Sequence, residues 1–307
     1  ELFRETYSCA TCHHQQAGFQ AGRAQGISEG GLGFGHIGEG RIKDNFCPED
    51  SLDIQPIRTP STLNSAYQEV MLWNGQFGAT GPNAGTEALW TPGTPLETNF
   101  LGYQGIETQA IAAMTVHRLG IPLKLFQHSE YKNLFNDAFP DIPMEERYTK
   151  INAGLAMAAY ERTILANEAP FQKYLKGNTM ALTTAQKHGA IVFFDKANCV
   201  ACHTGPALNS MEFYAYGMND LEGYDVYGPG PDVGTKKGRG GFTGNEEDNC
   251  KFKVPQLYSL RNARFLGHGS SFTTVEEVVR YKNRGVKEND FVPDSHLSAA
   301  FVPLDLT

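Results

Sequence analysis

No apolar stretch in the 307 residues approaches the roughly 20 needed to cross a bilayer, which predicts a soluble chain. Positive charge is in deficit. The 26 lysines and arginines stand against 34 aspartates and glutamates, a formal charge of -8, which argues against a nucleic acid partner and is compatible with a cationic protein partner. Cysteine is scarce: four of the six fall in two short clusters, leaving Cys47 and Cys250. Those two either bridge as a disulfide in an oxidising compartment or remain separate buried thiols. The first residue is not methionine and no signal-like segment follows it, which fits a mature or trimmed exported protein. No alternating strand ladder is visible, so the expected fold is mostly α, helix and loop, with length enough for two domains.

What is present is a repeated five-residue pattern. Cys9-Ala10-Thr11-Cys12-His13 recurs as Cys199-Val200-Ala201-Cys202-His203, and both read CxxCH. Two cysteines three apart on one turn can each take a haem vinyl group as a thioether, and the adjacent histidine then serves as proximal iron ligand. The bland readings, a thioredoxin-like redox pair or half of a zinc site, leave the histidine in both copies unexplained. Two covalently bound haem c groups are therefore expected, and because such haem is normally assembled outside the cytoplasm, the motifs favour the periplasm.

The copies sit in longer matching stretches. Leu2 to Ser8 aligns without gaps on Val192 to Asn198, and Ile57-Arg58-Thr59-Pro60 resembles Phe252-Lys253-Val254-Pro255. Thirteen residues beyond each proline stand Trp73 and His268. The pattern predicts two cytochrome c-like haem lobes related by internal duplication, residues 1–166 and 167–307, with long glycine-rich loops.

Between the motifs, the glycine-rich run Gly26 to Gly40 holds His36, flanked by glycines that let the backbone approach a flat cofactor or swing away. His36 is either a distal or switchable iron ligand or an exposed loop histidine. Thr59 to Asn74 places Leu63, Ala66, Val70 and Trp73 at near-helical spacing, so Trp73 is core filler or an electron relay. Helices are expected over Ile106–Leu119, Leu123–Phe139, Glu145–Asn167 and Thr183–Phe194. Glu107 falls in the first turn of its helix, where an acid is favourable in any case. Asn167 to Gly177 is a link, and Gly217 to Asn249 reads as a surface insertion. A last helix starts at Thr273 or Thr274, with Glu276 and Glu277 in its first turn, and stops at Gly285.

Taken with the segments CATCHH, FGHIG, RTPSTLN, LWNG, AYERTI, FQKYLKGN, CVACHTGP, FKVPQL and FTTVEEVVRYKNRG, which cover nearly the whole chain in order, the sequence resembles the bacterial diheme cytochrome c peroxidase and MauG family. The resemblance implies that His13 and His203 are proximal ligands, His36 the distal histidine and Trp73 the tryptophan between the haems. It also implies an acid/base glutamate, for which Glu107 is the candidate although strict register puts Thr108 in that place. The second haem's sixth ligand, methionine or tyrosine in the family, falls on Lys282 with Tyr281 beside it. Calcium is typical of the family, held partly by an asparagine where this chain has Arg58, and a guanidinium is a poor neighbour for a divalent cation.

The activity so implied is reaction of hydrogen peroxide at the N-terminal haem to form high-valent iron. In a MauG-like enzyme the second haem and Trp73 then pass the oxidation to a partner protein. In a conventional cytochrome c peroxidase a small cytochrome or copper protein supplies electrons through the second haem. A diheme electron carrier or sensor without turnover is the alternative outside enzymology.

Overall fold

The computed structural model describes residues 6–119 and 129–306. Leu2 to Glu5 of the first repeat, and the opening of the helix expected over Leu123–Phe139, lie outside them. Ten helices, several of a single turn, occur among the described residues: α1 (Cys9–Cys12), α2 (Gly105–Val116), α3 (Ser129–Ala138), α4 (Met144–Arg147), α5 (Lys150–Glu161), α6 (Pro170–Leu175), α7 (Thr184–Phe194), α8 (Val233–Lys236), α9 (Arg239–Thr243) and α10 (Val275–Arg284). Among the described residues, strand is confined to two antiparallel pairs of two residues each, β1 (Gly31–Leu32) with β2 (Ile42–Lys43) and β3 (Phe213–Tyr214) with β4 (Phe252–Lys253). No helix among the described residues is long and apolar enough to cross a membrane.

Local chemistry explains the best-formed helices. Thr183 and Thr274 each accept a hydrogen bond from the third residue of the following helix, and Gln186 and Glu277 reach back to complete capping boxes at α7 and α10. Gly285 ends α10 at φ 61°, a left-handed conformation that its missing Cβ permits. Helices α2 and α5 lie against each other, and the contact requires Gly154: a Cβ there would come within 2.4 Å of the Ile111 side chain. Ile106, Ala110 and Ala158 form the buried core of that pair.

Three expectations fail for identifiable reasons. The helix expected over Glu145–Asn167 is broken into α4 and α5, because Thr149 turns its side chain to cap Asn152 N and starts a new helix. Thr59 to Asn74 is not a helix. Asn64 and Leu72 take positive φ (61° and 69°), and Asn64 spends its polar groups on distant backbone, its N–H on Ile164 O and its Oδ1 on Ala166 N. The helical spacing of Leu63, Val70 and Trp73 reflects burial, not helix. The third concerns 217–249, which is not only surface. Arg239, 5% exposed and flanked by the rings of Phe213 and Phe242, crosses to the N-terminal half, donating to Asn83 Oδ1 and Pro82 O, both at 2.8 Å.

The two halves meet through reciprocal bonds. Arg58 N–H donates to His268 O and Lys253 N–H donates to Trp73 O, each at 2.8 Å. Arg58 and Lys253 stand 195 residues apart, as do Trp73 and His268. The same interval separates the bridge Met71 with Phe77 from the bridge Leu266 with Phe272. It also relates the positive-φ residues Asn64 and Ser259, Leu72 and Gly267, and Gly75 and Ser270. The core of the C-terminal half is aromatic: Phe272, Tyr281 and Phe301 with Ala263 and Leu266.

Candidate haem sites and the seam between them

The first motif begins as one helical turn, α1, closed by His13 N–H donating to Cys9 O at 2.9 Å. The chain then doubles back through Phe19, at φ 58°, so that the Phe19 carbonyl accepts from His13 Nδ1 at 3.2 Å. With Nδ1 donating there, Nε2 carries the lone pair that a metal takes; the Pro60 backbone also bonds the ring. Desolvation lowers the His13 pKa to about 4, so the ring is neutral at physiological pH, as a metal ligand must be. The second motif repeats the device on a 3₁₀ turn. His203 N–H donates to Cys199 O, and His203 Nδ1 bonds the Leu208 carbonyl at 3.0 Å, with Leu208 at φ 50°. Burial likewise holds the His203 pKa down.

All six cysteines are free thiols. Cys47 and Cys250 are therefore not bridged; Cys250 is buried with Ala215 and Val292. A cleft of about 460 Å³ lies beside the first motif, lined by Tyr7, Ala10, Thr11, His14 and Phe34 among others. Another of about 660 Å³ flanks Tyr214 in the C-terminal half. Buried neutral histidines and unbridged thiols make a donor set that fits covalent haem at both motifs, and at the first a cleft adjoins it.

Around the first site, His36 is exposed. Its N–H and that of Ile37 donate to the Glu39 carboxylate at 3.0 and 2.7 Å, bonds that lower the Glu39 pKa to about 2. Its loop rests on the motif itself, Phe34 edge-on to His14 at 5.6 Å. Glu107 Oε1 accepts a hydrogen bond at 2.7 Å from the guanidinium of Arg162, just past the end of α5, while Glu107 Oε2 is buried without a partner. Thr108, the residue in strict register, is fully buried and gives its hydroxyl to the helix backbone. The sequence reading missed Glu161, at the end of α5. Burial, then the nearby Glu107 charge, raise its pKa to about 7, and burial, then Glu161, push the Cys9 thiol up.

A carboxyl whose folded pKa exceeds its unfolded value costs nothing where both states are protonated; the cost builds as pH rises from the unfolded 4.5 to about 7 and is constant above that. Glu161→Gln should therefore be neutral near pH 4 and stabilise the holoprotein by about 2–3 kcal/mol at pH 8. Denaturation midpoints at the two pH values check this, and an equal effect at both would refute it.

At the second site the structure separates the two candidates on α10. Tyr281 is 2% exposed, its ring 5.2 Å from both Phe272 and Phe301, and its hydroxyl donates to Tyr216 O at 2.5 Å. The Lys282 amine lies at the edge of the same aromatic cluster, 5.7 Å from the Phe301 ring. Its Nζ lies 2.7 Å from the Tyr216 ring centroid, within electrostatic reach of Cys199, Cys202 and His203, and desolvation lowers its pKa to about 7. The phenols of Tyr214 and Tyr216 reach Cys202 as well, contacts that no spacing in the sequence announces.

Where the two halves meet, Trp73 is 7% exposed, donates from Nε1 to Arg58 O at 2.8 Å, and meets His268 edge-on at 6.4 Å. His268 stacks on Phe252 at 3.7 Å and bonds Asp220, which Asn289 also holds. Arg58 lies buried over the indole.

Comparison with known proteins identifies relatives over most of the chain. The cytochrome-c peroxidase IdrP1 of Pseudomonas sp. (strain SCT) is 28% identical over 251 residues, covering 73% of this chain and 58% of that protein. The methylamine utilization protein MauG of Methylophilus methylotrophus is 27% identical over 248 residues, covering 77% and 61%. The chain thus spans about three fifths of the length of these relatives. Among solved structures, a MauG-like protein associated with microbial copper homeostasis superposes with a TM-score of 0.65 at 20% identity, over 98% of this chain and 79% of that one, a likeness of fold. Residues 3–180, more than half the chain, match the family described as di-haem cytochrome c peroxidase, and the chain belongs to that family.

Proposed function

We propose that the chain is a periplasmic, hydrogen-peroxide-dependent diheme oxidoreductase of MauG-like type, which oxidises a partner protein by way of its second haem and Trp73. Haem c would be held by Cys9, Cys12 and His13 in a lobe formed by residues 1–166, and by Cys199, Cys202 and His203 in a lobe formed by residues 167–307. The bonds and backbone conformations that recur at a spacing of 195 residues support descent of these lobes from one duplicated unit. Bound there, haem c supplies an iron able to take up oxidising equivalents from peroxide. Calcium is left out of the cofactor set, because a buried guanidinium stands at the seam.

The chain's own residues do the rest. His13 offers a neutral Nε2 held in register by the Phe19 carbonyl. Glu107 Oε2 and Glu161 Oε2 are buried without partners, and the pair can take a proton on one carboxylate and release it from the other. His36 sits on a loop whose Gly33, Gly35 and Gly38 all have positive φ, able to swing as a switchable ligand must.

The observation that carries the MauG-like reading is Lys282. Its amine, not a thioether, stands at the second motif, and a hard nitrogen ligand favours the oxidised iron more than methionine does. The guanidinium over Trp73 favours the second reading, a conventional peroxidase fed by a small cytochrome or copper protein, since it opposes positive charge on the indole. One equivalent of hydrogen peroxide added to the fully oxidised holoprotein, without reductant, separates the two. The expected result is a long-lived Soret change with a near-infrared charge-resonance band. A response that requires half-reduction first would select the conventional peroxidase, and silence in both states would leave an electron carrier or sensor.

A further inference from the structure

We propose that Arg58 is a positioning residue that fixes a permanent positive charge over Trp73 and keeps one guanidinium N–H for an acidic group of the cofactor, thereby setting how readily Trp73 yields an electron. The proposal rests on the reading that Trp73 lies between two haems, and it holds for either destination of the electrons.

Arg58 is pinned from both halves. Its side chain is 6% exposed, its N–H donates to His268 O, its Nε–H donates to Gly267 O at 2.6 Å, and its carbonyl accepts from Trp73 Nε1. The guanidinium carbon then lies 5.0 Å from the centroid of the Trp73 ring. Burial pulls its pKa only to about 10, so the charge persists at neutral pH. Nη1 is buried and has no partner, a costly arrangement for a charged donor unless an anion arrives. The acid across the seam is not that anion, since Asp220 already serves His268 and Asn289. Lys253, the counterpart 195 residues on, makes the contrast: its amine donates to Gln68 Oε1 and to Val70 O at 2.5 Å. The carboxylate of a haem propionate is the chemistry that the spare N–H of Arg58 suits.

The consequence for Trp73 follows from its surroundings. When one electron leaves Trp73 for a peroxide-oxidised haem, the indole turns from a quadrupole that attracts the guanidinium into a cation that repels it. The Nε1 proton cannot relieve the charge by leaving, because its partner is the Arg58 carbonyl and not a base. Arg58 therefore shifts the balance against tryptophan-centred oxidation by about tenfold or more.

The test uses the holoprotein with Arg58→Gln, Arg58→Met and Arg58→Lys. Spectroelectrochemical titration without peroxide should show a lower midpoint potential for at least one haem in R58Q, because a buried charge favouring the reduced form is gone, and a near wild-type value in R58K. R58M, which keeps the stem volume, repeats the test should R58Q not assemble. With one equivalent of peroxide, the yield of tryptophan radical by electron paramagnetic resonance should rise about tenfold in R58Q and vanish when Trp73→Phe is added. Unchanged potentials in the uncharged variants, or an R58K shift as large as that of R58Q, would overturn the assignment. A wild-type protein inert to peroxide would defeat the proposed function and leave the potential shift as the judge of Arg58.

Discussion

Lys282→Ala should convert the iron at the second motif from six-coordinate low-spin to five-coordinate high-spin, and Tyr281→Phe should leave its coordination untouched. The two residues are neighbours on α10, about 100° apart around its axis, so their polar ends meet different groups. Tyr281 is the inward one: it is ringed by Phe272 and Phe301, and its hydroxyl is committed to the Tyr216 carbonyl. Losing that hydroxyl costs about 1 kcal/mol of stability and nothing at the iron. The Lys282 amine is the group near Cys199 and Cys202, and desolvation favours the neutral form that can donate a lone pair. Lys282→Met supplies a thioether instead and should raise the midpoint potential of that haem by on the order of 0.1 V or more. Electron paramagnetic resonance and potentiometry on the three variants decide the matter. A low-spin signal surviving in K282A, or lost in Y281F, would remove Lys282 from the coordination sphere.

Much of this site was legible because its chemistry is local. A CxxCH turn names the cofactor it would hold, and the caps at Thr183 and Thr274 sit beside the residues they serve. Legibility stops where a residue's role is set by something far along the chain. Leu63, Val70 and Trp73 have helical spacing, yet they are buried by an irregular chain whose Asn64 binds backbone a hundred residues away. Arg239 sits in a polar, glycine-rich run and becomes a crossing strut only because Asn83 and Pro82 wait in the other half. Glu161 lay in plain view within AYERTI. Its raised pKa depends on burial and on Glu107, which α2 brings beside it across the close contact at Gly154. That Tyr281 packs into the aromatic core of the C-terminal half follows from residues scattered along the chain, which no local pattern specifies.

The two motif histidines are near copies in geometry, yet their removal should have unequal consequences for peroxide. Each is held through Nδ1 by a carbonyl a few residues on, at 3.2 Å from Phe19 and 3.0 Å from Leu208, so differences in function must come from what surrounds them. The first site has the unpartnered carboxylate oxygens of Glu107 and Glu161 and a histidine held off on an exposed loop. The second has an amine poised at the motif and a packed aromatic core. Proton handling belongs to the first arrangement and a closed coordination sphere to the second. His13→Ala should therefore lower peroxide consumption, assayed with a small-molecule reductant, by more than the roughly 10–100-fold that loss of an outer-shell partner costs at a metal site. His203→Ala should keep consumption within a few-fold while abolishing the near-infrared band, since that band needs both centres. Equal losses in the two variants would mean that the halves act as one unit, and a larger loss in H203A would move the peroxide site to the C-terminal half. Either result would count against Glu107 and Glu161 as the groups that handle the proton.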